Sequence, residues 1–180
     1  MKVIGFCGLP GSGKSTAINV VRDLGIIINM GDIVRNEAKT RNIEPIDENL
    51  GKIAKDLREK QGEGIIAQKC VELVKNLQTE VVFIDGIRSL AEVNIFRNHW
   101  KFPLIEVVSK RKLRYERITR RARSDDSISI NEIIERENRE IGFGIKNVIE
   151  KANYRIKNNS TINKLETITR KVIKKIISTY

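Results

Sequence analysis

Short β-branched apolar runs alternate along this chain with stretches whose apolar residues recur every three or four positions. Lys2 to Cys7, Ile26 to Asn29, Val81 to Asp85, Pro103 to Val108 and Tyr154 to Asn158 are too short for helices and rich in Val, Ile and Phe, so each predicts a strand. Helical spacing follows the first strand from about Lys14 to Asp23. It returns after Asn158, where Leu165, Ile168, Val172, Ile173, Ile176 and Ile177 fall on one face and Thr161 or Asn163 can cap the start. Between Thr40 and Asn76 there is no strand signal. Pro45 and a turn at Gly62 to Gly64 instead bound two helical stretches, roughly Asp47 to Glu59 and Gly64 to Asn76, which predict a helical insertion. Five strands separated by helices cannot pair as hairpins, so they predict an α/β fold, a five-stranded parallel sheet flanked by helices with right-handed crossovers. No repeat or linker divides the chain, and residues 1–180 read as one domain.

The net charge of +11 changes this picture only where it is concentrated. Ser109 to Arg123 carries eight basic residues against one acid, Glu116, and the rest of the excess is spread thinly. A focused anion site is therefore expected rather than a generally basic surface. Cys7 and Cys70 fall in a strand and a helical run, where small buried thiols are expected rather than a redox pair. No apolar stretch approaches the ~20 residues of a membrane span, no signal peptide opens the chain, and a reducing cytoplasm is the expected location. His99 and Trp100 have no partner arrangement and read as structural or solvated.

Between the first strand and first helix lies GLPGSGKST, Gly8 to Thr16. Its spacing fits the Walker A pattern of a P-loop NTPase fold, in which glycines turn backbone N–H groups inward onto a polyphosphate. Lys14 adds a point charge at the β and γ phosphates, and Ser15 can bind a magnesium ion. Gly8, Leu9, Pro10, Gly11, Ser12, Gly13, Lys14, Ser15 and Thr16 are thus the predicted ATP cradle. Asp85 closes a buried strand at the sheet edge where open α/β folds bind ligands, and it can hold Mg2+ through water. Arg114, Arg117 and Arg121 share one helical face in the basic run.

Three further segments make the chain resemble nucleoside monophosphate kinases. MGDIVR, Met30 to Arg35, resembles the helix start that supplies an arginine to the acceptor phosphate, which implies that role for Arg35. DGIRS, Asp85 to Ser89, resembles the adenylate kinase DGFPR segment without its proline, and implies a second acceptor arginine in Arg88. ERITRRARSDD, Glu116 to Asp126, with Arg136 beyond it, resembles a short arginine-rich lid whose matching positions are Arg117, Arg121, Arg123 and Arg136. A closer resemblance is to an archaeal family of adenylate-kinase-related P-loop proteins. It shares the GxPGSGKS, MGDxVR, IDGIRS and REDD-like segments, a GxGI segment at Gly142 to Ile145, and a closing ADYxIxN-like segment at Ala152 to Asn158.

The resemblance implies ATP as phosphoryl donor and Mg2+ as cofactor. It implies an acceptor region over about 31–76 and a lid over about 110–140. Lys14, Arg88, Arg121, Arg123 and Asp85 would be catalytic, Arg117 and Asn158 would join the ATP side, and Asp32, Arg35, Arg88 and Arg136 would hold the acceptor nucleotide, with AMP favoured. Guanidinium forks suit a transfer that rests on positioning and charge neutralisation. Two other functions compete. One is phosphorylation of a hydroxyl, as in dephospho-coenzyme A kinases, with Asp32 as base where the first reading makes it a helix cap; the other is an ATP-gated nucleic-acid-binding ATPase. The basic run offers only Tyr115 as an aromatic platform, which weighs against the latter.

Overall fold

The computed structural model describes residues 1–121 and 129–179, with the Arg121 side chain outside that description. Five strands form: β1 Lys2–Cys7, β2 Ile26–Asn29, β3 Val81–Asp85, β4 Leu104–Val108 and β5 Tyr154–Lys157. They make one parallel sheet in the order β2-β3-β1-β4-β5. Two ends are trimmed relative to the sequence pattern. Pro103 has no N–H for a ladder and stays outside β4, although its carbonyl accepts the Gly5 N–H at 2.9 Å. Asn158 leaves the sheet to turn toward the glycine-rich loop.

The helices are α1 Lys14–Asn19, α2 Met30–Thr40, α3 Asp47–Gln61, α4 Ile65–Lys75, α5 Leu90–Arg97, α6 Arg111–Arg121, α7 Ile130–Gly142, α8 Ile145–Glu150 and α9 Ile162–Thr179. The first ends earlier than the expected Asp23. After Val20 the chain tightens into a 3-10 turn at Arg22–Leu24, with the Leu24 N–H on the Val21 carbonyl at 2.9 Å, and this drops Val21 into the core. At α9 the Thr161 hydroxyl accepts the Lys164 N–H at 3.4 Å, so Thr161 takes the capping place.

Period-two alternation divides the strand side chains between two apolar layers. Val3, Val82 and Ile84 pack with residues of α2, α3, α4 and α5, whereas Ile4, Phe6, Val81 and Phe83 pack with α1 and α9. Cys7 and Cys70 are fully buried in the first layer, and burial pushes both thiols up to about 12. His99 and Trp100 meet each other with ring centroids 5.5 Å apart in the loop before β4. Among the described residues no helix is long and apolar enough to cross a membrane.

The register sets up the site. Asp85 lies opposite Phe6 on one side and Asn29 on the other, so β1, β2 and β3 all end at the same edge, beside the glycine-rich loop.

Candidate functional site

The loop from Gly8 to Gly13 needs its glycines for two separate reasons. Gly8, Gly11 and Gly13 have φ of 143°, 74° and 95°, a region costly for residues with a Cβ. The chain also packs tightly behind the loop. A Cβ on Gly8 would stand 2.3 Å from the Val107 carbonyl oxygen, on Gly11 2.4 Å from the Arg114 carbonyl oxygen, and on Gly13 2.1 Å from Asn158 Nδ2. The loop is therefore shaped by β4, α6 and the end of β5 as well as by its own sequence.

Hydrogen bonds complete that support. Arg114, 4 % exposed, donates to the Pro10 carbonyl at 3.0 Å and to Glu137 of α7 at 2.6 Å. Asn158 Nδ2 donates to the Ser12 carbonyl at 2.9 Å, and Arg117 reaches the same oxygen at 3.4 Å and the Asn158 carbonyl at 3.0 Å. Arg117 still lines the open cleft, and burial lowers its pKa. Asn158 does not line it. The sequence reading put Asn158 beside ATP; its side chain is spent bracing the loop from behind.

In front of the loop is a cleft of about 240 Å³ lined by Pro10 through Thr16, and also by Asp85, Arg35, Arg88, Arg136 and Glu140. Lys14 Nζ donates to the Gly8 carbonyl at 2.6 Å, folded onto its own loop. Burial lowers the Lys14 pKa, with Asp85 and Glu140 opposing that shift. The Asp85 carboxyl moves the other way, raised by burial while Lys14 and Arg88 oppose. Ser15 Oγ donates to Asp85 Oδ2 at 3.4 Å, and the buried Asp85 Oδ1 has no hydrogen-bond partner. An orphaned carboxylate oxygen next to a serine hydroxyl is a donor set that fits a magnesium ion. Among the described residues no cluster of three or more His, Cys, Asp or Glu stands ready to hold a metal alone. The remaining ligands of such an ion would be phosphate and water.

To the same cleft α2 contributes Arg35, the loop after β3 Arg88 and α7 Arg136. Gly31 gives Arg35 room, since a Cβ there would lie 3.1 Å from its guanidinium. Asp32 does not cap α2. Asn29 caps α2 by accepting the Gly31 N–H at 2.8 Å, while Asp32 is exposed, pairs with Arg35 at 2.8 Å and lies outside the cleft lining. A carboxylate with helix-surface geometry one turn before Arg35 prefers that i,i+3 pairing to a cap.

Arg88 is fixed from both ends. Its backbone N–H donates to Glu92 Oε2 at 2.7 Å within the Ser89/Glu92 capping box of α5, and its guanidinium reaches Glu140 at 3.3 Å. Glu92 is itself held by the buried Arg58 at 2.7 Å, and Arg58 lies over the Phe143 ring at 4.4 Å. Arg136 faces Glu140 at 3.8 Å and Asp47 at 3.3 Å, and Arg139 also pairs with Asp47, which seats α7 on α3. Arg121 contributes only helical backbone to the description, and Arg123 lies outside the described residues.

Arg58, Glu92, Glu137 and Glu140 do not stand out in the sequence, and Arg114 stands out only as part of the basic helical face. The Ser89-x-x-Glu92 spacing was a readable capping signal, and Glu140 stands four residues after Arg136 on one helix face. The other pairings left no local trace.

The chain is similar to known proteins in family and in fold. Residues 7–134 match the AAA domain family. A UPF0200/UPF0201 protein of Archaeoglobus fulgidus is 43 % identical over 185 residues, covering 98 % of this chain but 57 % of its own length. A UPF0200 protein of Methanosarcina mazei is 39 % identical, covering 100 % of this chain and 96 % of the relative. Among solved structures, a Thermus thermophilus protein superposes with a TM-score of 0.64 at 17 % identity over 97 % of each chain. Shikimate kinase from Acinetobacter baumannii, in complex with shikimate, gives 0.62 at 14 % identity over 99 % of this chain and 94 % of that one. The fold is that of P-loop kinases.

Proposed function

We propose that this chain, which belongs to the UPF0200 protein family and carries an AAA domain, is an ATP- and Mg2+-dependent phosphotransferase acting on a nucleotide acceptor, with AMP favoured. The observation that carries the reading is one cleft lined by Lys14 and the glycine-rich loop together with Arg35, Arg88 and Arg136. Cations from the loop and from three other parts of the fold around a single cavity suit two phosphate-bearing ligands meeting there.

In this reading the loop amides and Lys14 grip the β and γ phosphates of ATP, drawing Lys14 Nζ off the Gly8 carbonyl. Ser15, and Asp85 through water, would hold a magnesium ion, which would supply neutralisation of phosphate charge. Arg35, Arg88 and Arg136 orient the acceptor phosphate, whose oxygen bonds to the γ phosphorus as the bond to the β–γ bridging oxygen breaks. The acceptor is already an anion and needs clamping rather than a base. In this reading residues from about 31 to 76 serve the acceptor and those from about 110 to 140 serve as the lid, and the reading assigns Arg121 and Arg123 to the charge developing on the γ phosphoryl group.

The alternatives have less support. Asp32 is exposed, paired with Arg35 and not part of the cleft lining, which weakens a hydroxyl acceptor served by that base. Arg114 and Arg117 are engaged with the loop, which removes two cations from a nucleic-acid surface.

A coupled assay over a panel of nucleoside monophosphates tests the proposal. AMP is expected to turn over with Mg2+ and not with EDTA, and Lys14→Ala is expected to cost a factor of about 10³ or more in kcat while the circular dichroism spectrum is unchanged. A folded sample with no turnover of any monophosphate and no calorimetric AMP binding would remove it.

A further inference from the structure

Among the cations of the cleft sits one carboxylate with no part in the mechanism above. Glu140 on α7 is 5 % exposed, and it lines both the main cleft and an adjoining cavity of about 60 Å³ that reaches Leu50, Ala54 and Phe143. Its Oε1 stands 3.3 Å from Arg88 and 3.8 Å from the Arg136 Nε. These separations are long for charge-assisted contacts, which run to about 2.7–2.9 Å. The Arg58–Glu92 and Arg114–Glu137 pairs of the same molecule, at 2.7 Å and 2.6 Å, have the short geometry. Glu140 thus neutralises the acceptor arginines without closing on either of them.

Burial raises the pKa of this carboxyl, but Arg88, Lys14 and Arg136 together outweigh burial and hold it below the ordinary carboxylate value. It is therefore an anion beside the place where a phosphate must bind. Its charge supports the arginines when the cleft has no ligand, since unpaired buried cations are costly. It also repels any phosphate that enters, because the two negative charges share one set of guanidinium groups.

We propose that Glu140 is a specificity-determining residue, an internal anion that shares Arg88 and Arg136 with the incoming ligand and keeps free orthophosphate from occupying the acceptor subsite. A phosphoryl group borne on a larger body gains contacts in the adjoining cavity and overcomes the repulsion; orthophosphate has no body to do so. The inference rests on the acceptor-side reading of Arg88 and Arg136. Its test reads binding alone, so it is separable from failure of the phosphotransfer proposal.

Orthophosphate binding is measured by calorimetry, without nucleotide, for the whole protein and for Glu140→Gln and Glu140→Met. Both neutral variants are expected to bind orthophosphate about tenfold tighter or more. Adding Arg88→Ala to Glu140→Gln is expected to abolish the gain. Equal or weaker binding in both variants overturns the proposal, as does tighter binding in Gln alone, which would indicate a new hydrogen bond from the amide rather than removal of charge. Failure of both variants to fold also overturns it, because Glu140 would then be a structural necessity. An enzyme inactive on every monophosphate that still shows the gain keeps this inference and loses only the phosphotransfer.

Discussion

At the scale of single residues, the loop glycines separate two costs that usually arrive together. Gly13 and Gly144 both start a helix with nearly the same left-handed backbone, φ 95° and ψ 21° against φ 97° and ψ 20°, yet a Cβ at Gly13 would collide with Asn158 whereas at Gly144 nothing lies closer than the Arg88 carbonyl oxygen at 4.0 Å. Gly144→Ala is expected to cost about 1 kcal/mol, the left-handed strain alone. Gly13→Ala adds overpacking of about 1–3 kcal/mol and pushes Asn158 off the Ser12 carbonyl. Guanidinium unfolding of the two variants is the measurement. Equal losses would mean that Asn158 moves aside freely and does not brace the loop.

Among the elements, the junction of β3 and α5 carries the most interlocked contacts. One carboxylate, Glu92, accepts the backbone N–H groups of Arg88 and Ser89 and the guanidinium of Arg58, and it is completely buried. It joins α3, α5 and the turn that presents Arg88. Glu92→Gln leaves Arg58 buried without a counter-charge and is expected to destabilise the fold by about 3–5 kcal/mol. Ser89→Ala removes only the cap, at about 1 kcal/mol. A thermal melt that ranks Ser89→Ala as the more damaging would contradict this arrangement.

For the molecule as a whole, the parallel sheet gathers loop, metal candidates and arginines at one edge, so ligand binding is expected to act on global stability. ATP at about 100 times its Kd adds about 2.7 kcal/mol. In a protein of this size that corresponds to a rise of roughly 5–10 °C in Tm. The rise is expected to shrink on chelation, because the Asp85 Oδ1 has no protein partner and its carboxyl is raised by burial. A shift of the same size with and without Mg2+ in a differential scanning experiment would show that Ser15 and Asp85 hold no metal.

The features that the sequence by itself determined are those whose physics is local. Strand and helix positions followed from apolar periodicity, and the phosphate cradle followed from glycines, Lys14 and Ser15 at fixed spacing. Asp85, Arg35 and Arg88 stood out because each sits beside a strand end within a short motif. What only the tertiary structure decided was the pairing of distant side chains. Arg58 meets Glu92 across 34 residues, Arg88 meets Glu140 across 52, and Arg114 meets Pro10 across 104. No periodicity encodes such contacts, since a carboxylate four residues along a helix reads the same whether it faces water or a buried guanidinium. The strand order and the docking of α7 on α3 bring Glu140 into the cleft, whereas Asn29, two residues ahead of Gly31, took the cap and left Asp32 on the surface.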